Sequence, residues 1–225
     1  MNSADIIAEL HSLGNQTNRE GMARFGIRTQ RVLGISMPRL RHLSRRIGKH
    51  DHALAQELWE TGLHEARILA TLVDDPQAVT VEQMERWVAD FDSWDLCDQC
   101  CGNLFDKTAL AWEKATEWCM REHEYEKRAG FVLIASLAVH DKKAPDDAFL
   151  PYLAIIKREA GDKRNFVKKA VNWALRQIGK RNASLNRAAI ETAQEILAQD
   201  GKSTWVASDA LRELRSEQVQ AKIRH

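Results

Sequence analysis

Trp94 and Asp98 stand four residues apart in the run Asp92-Ser-Trp-Asp-Leu-Cys-Asp-Gln-Cys100. In a helix that spacing stacks an indole and a carboxylate on neighbouring turns of one face. A carboxylate can stabilise developing positive charge or orient a water, and an electron-rich ring beside it favours a cation. On a helical wheel Leu96, Cys97, Cys100, Cys101, Leu104 and Phe105 form a broad apolar arc. Asp95, Gln99, Asn103 and Asp106 form the opposite polar arc. Trp94 and Asp98 fall at the border, where they read either as the lip of a core or as a functional pair.

Two further places hold residues that could meet a ligand. In the segment 163–180, Val167, Ala170, Val171, Ala174 and Ile178 build an apolar stripe, with Trp173 off its centre. Its helical neighbours are Lys169, Arg176 and, seven residues on, Lys180. An aromatic surface among cations suits a nucleic-acid backbone and sugar. Core placement with cations reaching out to solvent is the other reading. Lys127 and Arg128 open the very apolar stretch Phe131–Leu137. An arginine there needs a partner, which could be Asp98, a phosphate or solvent. Cys97-x-x-Cys100 has neither a second pair nor a histidine cluster to complete a four-ligand site. The four cysteines are therefore expected to be buried, reduced thiols, with no metal and no cofactor.

The elements that must position these residues read as helices throughout. Only four prolines and eleven glycines occur, β-branched alternation is absent, and apolar residues recur at three- and four-residue steps. Expected starts include Ser3, Ser36 with Pro38 in the first turn, Asp51, Thr80, and Asp92 or Ser93. Gly26, Gly48 and Asp74-Asp75-Pro76 mark ends, and Trp59 reads as core. Further helices are expected over 107–120, 124–139, 149–160, 163–180, 185–197 and 205–214, followed by a polar tail. This gives about a dozen helices of about 10–16 residues with tight connections. Helix pairs recurring about every 35–45 residues predict an all-α solenoid of HEAT or armadillo kind over residues 1–225 as one domain. On pattern alone the alternative of a compact helical bundle stays open. A solenoid would offer a concave surface for an extended partner.

Net charge is +1, but its distribution is uneven. From Arg19 to Lys49 nine Lys/Arg face one acid, from Asp51 to Asp98 two face twelve, and from Lys157 to Arg187 ten face two. Two basic blocks flanking an acidic one can supply a local basic surface beneath a neutral total, or simply solvated helix faces. No apolar run is long enough for a membrane span, and no secretory pattern opens the chain, so a cytoplasmic protein is expected.

In chain order, Leu33-Gly-Ile-Ser-Met-Pro-Arg-Leu-Arg41, Trp94-Asp95-Leu96-Cys97-Asp98, Lys127-Arg128-Ala129 and Phe166-Val-Lys-Lys-Ala-Val-Asn-Trp-Ala-Leu-Arg176 carry a resemblance. Together they resemble the AlkD-type DNA alkylation repair proteins, a HEAT-like repeat class of DNA glycosylase. The resemblance implies a monofunctional glycosylase that excises cationic N3- or N7-alkylated purines from double-stranded DNA. It implies Asp98 as the catalytic carboxylate, and Trp94 and Trp173 as aromatic walls around the lesion's deoxyribose. Arg128, with Lys127, Lys169 and Arg176, would contact DNA. A carboxylate near the sugar stabilises the charge that grows as the glycosidic bond breaks, and a cationic base leaves without a strong general acid. Ser93 stands where some members carry a second aromatic. No obligate protein partner is implied, and a monomer is expected. A DNA-binding solenoid without catalysis, for distorted or branched DNA, and a protein-interaction scaffold are the competing classes.

Overall fold

Every segment with that apolar rhythm is helical in the computed structural model, which describes residues 1–27, 31–199 and 204–223. Arg28 of the first basic block lies outside the described residues. Among the described residues there are fourteen α-helices and no strand. They divide into two compact units, Met1–Leu110 and Ala111–His225.

The first unit holds α1 (Ser3–Ser12), α2 (Gln16–Arg24), α3 (Met37–Ile47), α4 (His52–Glu60), α5 (His64–Val73), α6 (Val81–Ala89) and α7 (Trp94–Asn103). Local chemistry sets their starts. Asp51 Oδ1 accepts from the Leu54 amide and Thr80 Oγ1 from that of Gln83, satisfying donors with no partner inside the helix. At α1 the cap is Asn2 rather than Ser3, because its amide oxygen reaches the Asp5 amide at 2.8 Å. Gly48 ends α3 at φ 104°, a conformation L side chains resist. α4 packs on α5, while α3, α5 and α7 succeed one another as neighbours in one layer. At the core Trp59 and Trp87 stack with centroids 3.8 Å apart, flanked by Phe91 and Phe105. The indole Nε1–H of Trp59 donates to Asp90, which also pairs with Arg67, so the buried ring keeps a partner for its one polar atom.

The second unit holds α8 (Ala111–Trp118), α9 (Glu124–His140), α10 (Leu150–Glu159), α11 (Asn165–Gly179), α12 (Ala183–Leu197), α13 (Thr204–Leu214) and α14 (Glu217–Ile223). α9 is buried from Arg128 to Ala138, as expected of a helix apolar all round. It packs on α8 and α11, and α11 in turn on α13, with α10 beside α12. Within this unit, too, alternate helices form layers. The helix expected from Lys107 begins only at Ala111, because a 3₁₀ turn at Phe105–Lys107 and an extended Thr108 intervene. The polar tail is helical as α14. Val219 is buried, and Gln220 Nε2 donates to the Leu214 carbonyl at 2.8 Å.

Candidate functional site

In the first unit the site begins at the N-terminus of α7. Ser93 is extended, so the helix starts at Trp94, which is half-buried. Its indole Nε1–H donates to the Phe25 carbonyl at 3.0 Å, which fixes the ring's orientation from the end of α2. Asp98 follows one turn on and is also half-buried. Behind this face Cys97, Cys100 and Cys101 are free and fully buried. Burial pushes the thiols of Cys100 and Cys101 far up, so they pack rather than react. Cys119, in the second unit, is buried and raised in the same way.

The polar arc of α7 is turned toward α5 at Asp95 and Asn103. Asp95 turns to α5 and accepts from His64 Nε2 at 2.9 Å, with side-chain exposures of 16% and 1%. Burial alone would lower the histidine pKa, but the hydrogen bond and charge of Asp95, helped by Glu65 and Asp92, hold it above its usual value. Burial would raise the Asp95 pKa, and the same bond and charge hold it below the usual carboxylate value. Both directions describe one charged pair. Asn103 completes the seam by donating to Thr71 at 3.1 Å, and Asp106 is buried.

Next to His64, the buried Glu65 carboxylate gathers the amides of Leu33, Gly34 and Ile35 at 2.6–3.1 Å. Gly34 is held at φ 81°, and a Cβ there would meet the backbone of Asn15. The first turn of α5 thus grips α7 with one side chain and the 33–35 loop with the next. Between these elements and α2 lies a cavity of about 630 Å³, walled by Met22, Phe25, Met37, Ile68 and Trp94, with His64, Asp95 and Gln99 among its polar lining. Phe25, 73% exposed, stands at its edge.

In the second unit Arg128 is buried, and its Nη1 donates to the Phe166 carbonyl at 2.6 Å. Lys127 pairs with Glu159 at 2.7 Å and lies 4.0 Å from Asp162. On α11 Lys169 is exposed and Trp173 half-buried. With the Gln177 amide oxygen turned toward the indole, Trp173 Nε1–H donates to it at 2.8 Å. Arg176 is paired with Glu213 of α13, which also holds Lys180 at 2.7 Å. Of the cations assigned to DNA from sequence, Lys169 is therefore presented outright. Lys127 and Arg176 are held by carboxylates, and Arg128 is bound to backbone. His64, Glu65 and Gln177 were not singled out in the sequence. The one signal for the first two is a His-Glu pair opening a helix that is otherwise apolar on its inner side.

Among the described residues no group of three or more His, Cys, Asp or Glu could hold a metal ion. No described helix is long and apolar enough to cross a membrane.

A solved structure with TM-score 0.81 and 21% identity matches 99% of this chain and 96% of its own. It comes from a new family of proteins related to the HEAT-like repeat DNA glycosylases with affinity for branched DNA structures. The all-α fold here is thus HEAT-like. No curated protein matches the chain. The family model for DNA alkylation repair enzymes matches residues 6–214, and with nearly the whole chain inside that match, the protein belongs to the DNA alkylation repair enzyme family.

Proposed function

We propose that the protein is a DNA glycosylase that removes cationic N3- or N7-alkylated purines from double-stranded DNA. The observation that carries this reading is the start of α7. A half-buried carboxylate, Asp98, is presented one turn from an indole whose orientation is fixed by the Phe25 carbonyl. As the glycosidic bond lengthens, positive charge grows on the deoxyribose. A fixed carboxylate near that charge stabilises it without reorganisation and can hold the attacking water. Trp94 and Trp173 are assigned the aromatic contacts to the sugar, where ring faces add to the stabilisation of a cation. The alkylated base is already positive and departs neutral, so the scheme asks for no strong general acid. No lysine is assigned as a nucleophile, and strand cleavage is not expected.

A second reading is favoured by one finding. The similar solved structure belongs to proteins with affinity for branched DNA. In that reading the same fold binds distorted or branched DNA without releasing a base. Incubating the protein with methylated duplex DNA separates the two. Free methylpurine with intact strands supports the glycosylase. Tight binding of a four-way junction with no base released supports the binder.

A further inference from the structure

At the C-terminal end of α11 the second unit holds another cavity, of about 540 Å³. Its lining includes Lys142, Lys180, Arg181 and Lys222 and, among the described residues, a single carboxylate, Asp146. That carboxylate already accepts from Asn182 Nδ2 at 2.8 Å. Arg181 is committed as well. Its guanidinium donates to the carbonyls of Ala138, Asp141 and Ala144 at 2.8–3.0 Å and lies over the Phe149 ring. It therefore answers one carbonyl in the last turn of α9 and two in the segment that follows, an ordinary task of a cation at a helix C-terminus.

The lysines are not accounted for in that way. Lys142, in the turn after α9, and Lys222, on α14, are exposed and form no ion pair among the described residues. Lys180 shares Glu213 with Arg176 and still lines the cavity. Ammonium groups converging on one hollow repel each other until an anion lies between them. Among the described residues no aromatic ring lines the cavity, so it offers no ring on which a nucleobase could stack. A cationic lining without rings suits backbone phosphate better than a base edge.

The cavity is also tied to the aromatic on the same helix. Gln177 lines it, and the amide oxygen that accepts from the Trp173 indole lies 3.3 Å from Lys180 Nζ. Seven residues separate Trp173 from Lys180, about 10 Å along the helix axis.

We propose that the cavity ringed by Lys142, Lys180 and Lys222 is a phosphate seat for the DNA backbone. It would hold the strand about 10 Å from the sugar that meets Trp173. The inference rests on the DNA-binding part of the proposed function and not on catalysis.

The test is equilibrium binding of duplex DNA over a salt series by wild type, the K142Q/K222Q double variant, and K157Q as control. Lys157 is paired with Glu195 and lies away from the cavity lining. The seat predicts that the double variant loses about 1–2 from the slope of log K against log salt and binds about tenfold more weakly at low salt. K157Q should match wild type. A double variant with the wild-type slope overturns the seat, as does a K157Q variant that loses as much, since the effect would then follow total charge. Wild type that binds no DNA overturns the proposed function and the seat together. That outcome is distinct from wild-type binding with an unaffected double variant, which overturns the seat alone.

Discussion

At the scale of single residues, the signature Trp94-Asp95-x-x-Asp98 divides its two carboxylates between different tasks. Asp98 is assigned to the reaction, whereas Asp95 is occupied by the buried His64. Breaking such a pair by removing one member costs about 3 kcal/mol, because the other charge is left in a dry site. The pH dependence follows from the two directions. The raised histidine pKa contributes stability that is complete below its ordinary 6.5 and is lost as pH rises through the higher folded value. The lowered carboxylate pKa contributes stability that is complete above its ordinary 3.8 and is lost as pH falls through the lower folded value. Thermal unfolding of wild type and Asp95→Asn should therefore differ most between pH 3.8 and 6.5, with the gap narrowing on either side. A gap independent of pH would mean that the two groups are not a charged pair. Trp173 carries its own prediction. Trp173→Ala should lower base release by about 2- to 30-fold, the worth of a ~0.5–2 kcal/mol contact of the developing sugar cation with a ring face, and should weaken DNA binding as well. Unchanged release and binding would assign the indole to packing alone.

At the scale of elements, alternate helices make a layer in each unit, and the candidate side chains sit on those helices. They are α7 in the first unit, and α9 and α11 in the second. The close approach of α8 and α9 depends on Gly130. A Cβ there would run into the Trp118–Cys119 backbone, with the Trp118 carbonyl carbon at 2.8 Å. Alanine gains about 1 kcal/mol of helix propensity over glycine, but overpacking against backbone costs about 3 kcal/mol or more, so the loss wins. Gly130→Ala should lower the denaturation midpoint in a chemical melt, and an unchanged or higher midpoint would contradict this packing. Much of this level was legible in the sequence. Apolar spacing marked the helices, the buried arc of α7 and the core Trp59, and the caps at Asp51 and Thr80 followed from side-chain chemistry. The partners of polar residues were not legible. Periodicity reports which face of α7 carries Asp95 and Asn103. It cannot report that His64 and Thr71, more than thirty residues earlier, meet that face and bury it. For the same reason Glu65 read as one more member of an acidic block, when it is the acceptor for three amides of the 33–35 loop.

At the scale of the whole molecule, a net charge of +1 understates the basic surface. Several acids of the 51–98 block are occupied internally: Asp74 by His52 and Gln83, Asp90 by Arg67 and Trp59, and Asp95 by His64. Arg39, Arg41, Arg45 and Lys49, by contrast, are exposed. Duplex binding should accordingly weaken steeply with salt despite the neutral total, and affinity independent of salt would favour a protein-interaction scaffold. The central claim is that Asp98 performs the chemistry, and single-turnover release of methylpurine from methylated duplex DNA by wild type and Asp98→Asn tests it most directly. Wild type should release methylpurine, Asp98→Asn should release it about 10²–10³-fold more slowly, and both should bind the same duplex. Release by Asp98→Asn at the wild-type rate, or none from wild type, would contradict that claim.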